Sequence, residues 1–119
     1  MSEIRADTIT ASDGTSPVTL TKQSAAKAWV QGTLSAVISD AENISSGTDN
    51  GVGDYTYAFT NNMGNNNYAI IVSTQWASLI TFDPDERGTA SFNLRSFTRA
   101  DSLTVSDNEN ATAIHGDLA

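Results

Sequence analysis

The feature that most constrains this chain is the density of its turn punctuation. Asp13-Gly14, Ser46-Gly47, Asn50-Gly51, Gly53-Asp54, Met63-Gly64, Arg87-Gly88 and His115-Gly116 interrupt it along its length. Gly and Asn reach positive φ cheaply, so each pair suits a chain reversal and leaves short segments between. Among those segments Tyr55, Tyr57 and Phe59 alternate with Thr56, Ala58 and Thr60, the two-residue period of a strand with one buried face. Phe92 and Leu94 alternate in the same way with Ser91, Asn93 and Arg95. Residues 68–74 (YAIIVST) are apolar on both faces and rich in β-branched side chains, which reads as a central strand paired with its predecessor across the asparagine-rich loop at 61–67. Further strands are expected at 18–21, 34–39, 78–82, 89–97, 102–106 and 111–116, a spacing that suits an antiparallel sandwich. Only residues 23–30 (QSAAKAWV) depart, because alanine-rich composition beside Lys22 and Lys27 favours a helical turn or two. The expected fold is all-β: a small antiparallel β-sandwich at 23–119 with one short helical turn near its start, preceded by an extended attachment segment at 1–22.

At 119 residues the chain has room for one core. It has no cysteine, so hydrophobic burial or oligomerisation must replace the disulfides or zinc that hold other small domains. Ala25, Ala26 and Ala28 allow close backbone approach and Trp29 offers a large surface to bury. Val18, Leu20, Ala25, Ala28 and Trp29 are therefore the expected interface of an oligomer. Six Lys and Arg against 14 Asp and Glu give a formal charge of −8. No basic stripe is present to replace phosphate counterions, which excludes nucleic acid as a partner. No run approaches the roughly 20 apolar residues of a membrane span. The polar start (Ser2, Glu3, Arg5, Asp7) lacks a basic region followed by an apolar run, so synthesis in a cytoplasm without membrane insertion is expected.

Groups that carry chemistry are few. His115 is the only histidine, and neither a Gly-x-Ser-x-Gly elbow nor a cysteine nucleophile occurs. Asp83, Asp85 and Glu86 cluster oxygens as a Ca²⁺ loop would, but the spacing matches no EF-hand, and a charged turn opened by Pro84 accounts for them. Asp40 and Glu42 make an acidic pair of the sort used by glycosidases, without a sequence sign of a cleft. The expectation is a non-enzymatic chain with no catalytic residues, no metal site and no cofactor.

Several pieces recur in one order: Lys27, Ala28 and Trp29; then Asp49, Asn50, Gly51, Gly53, Asp54, Tyr55 and Thr56; then Met63, Asn67, Tyr68 and Ala69; and finally Gly116 and Asp117. In this order the sequence resembles the carboxyl-terminal domain of bacteriophage tail fibre proteins, of the marine phage type, over nearly its whole length. The resemblance implies a structural virion protein at the tail fibre, tail tip or capsid surface. Such a protein would be a homotrimer that attaches to a host-surface glycan or protein and contacts other tail or capsid proteins. The competing expectations are a stand-alone carbohydrate-binding module and a capsid decoration protein without receptor contact. Because specificity on a rigid sandwich belongs in its loops, the expected receptor contacts are Trp76, Asp83, Asp85 and Arg87, with Arg95 as an addition. Trp76 sits among the polar residues Thr74, Gln75 and Ser78, as an exposed sugar-stacking ring would.

Overall fold

In the computed structural model, which describes residues 12–14, 26–74, 78–98 and 104–119, the alternating segments become strands and the turn residues mark their ends. The strands are β1 (Ala28–Gly32), β2 (Ile38–Glu42), β3 (Ile44–Gly51), β4 (Asp54–Phe59), β5 (Ala69–Thr74), β6 (Ser78–Phe82), β7 (Ser91–Thr98) and β8 (Asn110–His115). They form two antiparallel sheets of four, ordered β2-β1-β8-β5 and β3-β4-β7-β6. The expected all-β sandwich is what the chain adopts.

The core lies between the sheets. Tyr55, Tyr57 and Phe59 of β4 and Phe92 and Leu94 of β7 point inward from one sheet, and Ala28, Val30 and Ile114 do so from the other. Phe92 stands 5.7 Å from Tyr57 and 5.5 Å from Phe59, while Tyr68 meets Phe59 edge-on at 5.8 Å. Such ring pairs add to the burial energy of each ring. The interior also carries hydrogen-bonded polar groups: the Asn110 amide donates across the sheets to Tyr57 Oη at 3.1 Å, and Tyr55 Oη donates to Asp107, in the loop before β8, at 3.1 Å while accepting from Asn108 N at 3.0 Å.

The sheets are joined at one edge by a single residue. Asn43 separates β2 from β3, adopts φ 56, and fixes the corner with its side chain. Its Nδ2 donates to the carbonyls of Lys27 and Asn61, each at 3.1 Å, and its Oδ1 accepts from Asn61 N. Asparagine tolerates the left-handed region better than most side chains. At one end of the sandwich the last residues dock on the asparagine-rich loop, with Gly64 N donating to Asp117 O at 2.7 Å and Ala119 N to Asn62 O at 3.0 Å.

Four expectations change. Residues 26–30 are not helical: Ala28, Trp29 and Val30 belong to β1, because their in-out-in burial follows a two-residue period that outweighs the alanine propensity. The one helical turn among the described residues is the 3-10 turn Pro84–Glu86, where Asp83 accepts from Asp85 N. β5 is an edge strand paired with β8, in the sheet opposite to β4, so it is neither central nor the partner of its predecessor. The strand expected at 34–39 starts later, at Ile38, after a turn closed by Thr33 N donating to Val37 O. β3 was not expected at all. The attachment segment at 1–22, apart from the turn residues 12–14, lies outside the described residues.

All three tyrosines are shifted upward. Burial pushes Tyr55 up to about 12, with the neighbouring Asp107 carboxylate adding to it, and burial also raises Tyr68 to about 12 against the opposing pull of Arg87. A raised value keeps the neutral phenol favoured in the folded state. Stability is therefore complete below the unfolded value near 10 and is lost as pH rises from about 10 through about 12. Phenolate absorbance should lag the titration of free tyrosine and then rise together with the loss of near-ultraviolet circular dichroism. A phenolate signal that develops at pH 10 in a folded protein would contradict this burial.

Candidate functional site

The two outer faces of the sandwich have different chemistry. On the β3-β4-β7-β6 sheet, register places Thr56 opposite Asn93 and Asp54 opposite Arg95, which assembles a hydrogen-bonded polar lattice. Asn93 is fully buried, and its Nδ2 donates to Asp54 Oδ1 at 2.7 Å and Thr56 Oγ1 at 3.2 Å. Asn50 Nδ2 donates to the same two atoms, at 3.2 and 2.8 Å. Arg95 completes the set with Nη1 2.7 Å from Asp54 Oδ2 and Nε 3.6 Å from Asp83 Oδ2. Burial alone would raise Asp54, but the amides of Asn93 and Asn50 and the Arg95 guanidinium together hold its carboxyl below the usual value.

A depressed folded value contributes stability that is present above the unfolded value near 4 and lost as pH falls through the folded one. Asp54→Asn should therefore flatten the decline of the urea midpoint below about pH 4. An unchanged acid slope in the variant would show that the lattice does not depend on Asp54 charge.

The expected receptor residues are thus divided by the fold. Asp83 and Arg95 meet on this outer face, joined by Asp54. Asp85 is exposed in the 3-10 turn. Arg87 lies between two rings, 5.7 Å from the centre of Tyr68 and 5.3 Å from that of Phe82, and its Nη1 donates to Tyr68 O at 3.3 Å. That position packs the guanidinium against the ring and carbonyl of Tyr68, whose hydroxyl donates to Gly88 O at 2.8 Å. Trp76 lies outside the described residues.

The other outer face, on β2-β1-β8-β5, carries a groove. Register aligns Trp29 of β1, Ala113 of β8 and Ile71 of β5 in one row, and Gln31, Ala111 and Ser73 in the next. Trp29 and Ile71 form the walls and the two alanines the floor of a cavity of 340 Å³. A second cavity of 200 Å³ adjoins it, sharing Gln31, Ser73 and Ala111 and reaching Thr74 and Glu109. Trp29 Nε1 donates to Glu42 Oε2 at 3.3 Å, which restrains the indole. Asp40 lies beside Gln31 on β2, so the acidic pair noted in the sequence lines the outer edge of this face.

Among the expected interface residues, Val18, Leu20 and Ala25 lie outside the described residues, and the fold separates the other two. Trp29 faces outward in the groove, whereas Ala28 points into the core of its own chain with 1% exposure. Ala28 is therefore corrected from interface to core, because neighbours in a strand face opposite ways. Ile71, Gln31, Ser73, Ala111 and Ala113 were not anticipated. The available signal was the Ala111-x-Ala113 alternation, which leaves a strand face low beside a large ring.

Comparison with protein-family models, with known proteins and with solved structures finds no match to this chain. The geometry of the two outer faces is the basis for a functional reading. Among the described residues no group of three or more His, Asp or Glu side chains is placed to hold a metal ion, and no helix is long and apolar enough to cross a membrane.

Proposed function

We propose that this chain is a non-catalytic structural and attachment module of a bacteriophage virion, of the tail fibre, tail tip or capsid surface. It is displayed as a homotrimer beside other tail or capsid proteins and contacts a host-surface glycan or protein. The observation that carries this reading is the Trp29 groove, a half-buried aromatic wall over an alanine floor on a sandwich whose core is tied across both sheets. A rigid scaffold with a half-buried ring open to a groove suits recognition, since little conformational freedom is lost on contact.

The resemblance to tail fibre domains adds support. Several of the residues that carry it act as clasps of the fold: Gly53 N donates to Asp107 at 2.8 Å, Met63 bridges to Leu118, and Gly116 lies against Tyr68 and Met63. Three copies would raise avidity for a weakly held receptor.

The test is competition. Purified chain should block phage adsorption to host cells, and Trp29→Ala should weaken that block roughly tenfold or more, as loss of a central aromatic anchor does. Light scattering should give close to three times the 12.6 kDa chain mass. A folded monomer at micromolar concentration with no effect on adsorption would defeat the proposal and favour a stand-alone carbohydrate-binding module.

A further inference from the structure

We infer that the groove on the outer face of β1, β8 and β5 binds a neutral oligosaccharide, one ring lying against Trp29 and the next reaching Gln31, Ser73 and Glu109. The inference deepens the attachment reading and takes its biological setting from it, but its chemistry stands on the groove alone.

The groove changes character along its length. At one end the Trp29 and Ile71 walls stand two strand spacings apart, about 9–10 Å, over Ala113. At the other end Gln31 and Ser73 both donate and accept, and the Glu109 carboxylate accepts. A pyranose has the matching division, with an apolar C–H face and an edge of hydroxyls that donate and accept. The two adjoining cavities, 340 and 200 Å³, give consecutive rings separate environments. The indole is already oriented by its N–H bond to Glu42, so stacking does not have to fix it.

Three other occupants fit less well. A second copy of the chain would have to bury on the order of 800 Å² per partner, which Trp29, Ile71 and two alanines do not supply. It would also bring a charge of −8 against a rim holding Asp40, Glu42 and Glu109. An anionic sugar meets the same rim. An organic cation would favour the acidic groups but needs several rings around it; here one ring is present, and the nearest carboxylate is engaged by that ring's own N–H.

The experiment screens the full chain on an array of neutral and anionic oligosaccharides of two to four sugars. The strongest neutral binder is then titrated by NMR, with tetramethylammonium as the cation probe. Neutral glycans should bind. Trp29→Ala should weaken binding roughly tenfold or more, and Gln31→Ala by a smaller factor. Ala111→Arg fills the floor at an exposed position and should abolish binding with no change in melting temperature. Any of three results would overturn the inference: no neutral glycan bound at millimolar concentration, preference for anionic glycans or tetramethylammonium, or conversion of an oligomer to monomer by Ala111→Arg.

The two readings fail separately. Adsorption that depends on Trp29 without any sugar binding overturns the sugar site and leaves attachment standing. Sugar binding lost in Ala111→Arg, with adsorption unchanged, upholds the site and removes its role in attachment.

Discussion

A chain ending after Glu109 is expected to be unfolded in water. β8 is the last strand in sequence but an inner one in its sheet, paired along its length with β1 on one side and β5 on the other. Its loss removes Ile114 from the core, worth about 2–5 kcal/mol for a large-to-small change alone. It also leaves the Tyr57 hydroxyl without the Asn110 amide, a further penalty of about 1–3 kcal/mol. Both neighbouring strands lose a ladder as well. Domains of this size are stable by only about 5–15 kcal/mol, so these losses together exhaust the margin. Far-ultraviolet circular dichroism and amide dispersion should show a disordered chain, and a peptide of residues 108–119 added in trans should restore part of the native signal. A cooperative unfolding transition in the truncated chain would mean that β1 and β5 can close on each other.

The turn between β3 and β4 provides a second large effect and an internal control. Gly51 and Gly53 both have positive φ, 139 and 66. A side chain at Gly51 would point into open space, whereas a Cβ at Gly53 would lie 2.5 Å from Ser96 O and 3.0 Å from both Ser106 N and Ser106 O. Those are backbone atoms held in place, because Ser96 N donates to Gly53 O and Ser106 N to Ser96 O. Gly51→Val should cost about 1–3 kcal/mol for the backbone region alone. Gly53→Ala should cost about 2–5 kcal/mol, adding the displacement of a packed neighbour. Urea midpoints of the two variants give the comparison, and equal midpoints would show that the Ser96 and Ser106 backbone yields easily.

What could be read from the sequence was whatever a local period exposes. The Tyr55, Tyr57, Phe59 face was legible because all three side chains go to one core and their neighbours face outward. Residues 69–74 misled for an instructive reason. Ile70 and Val72 pack on the core, but Ile71 between them is 60% exposed and walls the groove. An apolar side chain on the outer face makes an edge strand look buried on both sides. β3 gave no signal because its residues are mostly exposed and its strand state comes from pairing with β4. The site was less legible still: Trp29 stood out, but the partners that define its groove lie on β5 and β8, and only the register brings them beside it. The polar lattice is likewise spread over Asn50, Asp54, Asp83, Asn93 and Arg95, whose proximity has no local cue.

The position of β1 has a mechanical consequence. Ala28 lies opposite Ile114 in the antiparallel β1 and β8 pair, so the start of β1 and the end of β8 lie at the same pole. Tension between those two points would peel this pair open one rung at a time. Trp29, however, is the second residue of β1. A pull exerted on the indole and resisted upstream of Lys27 travels through a few backbone bonds and leaves most of the domain outside the load path.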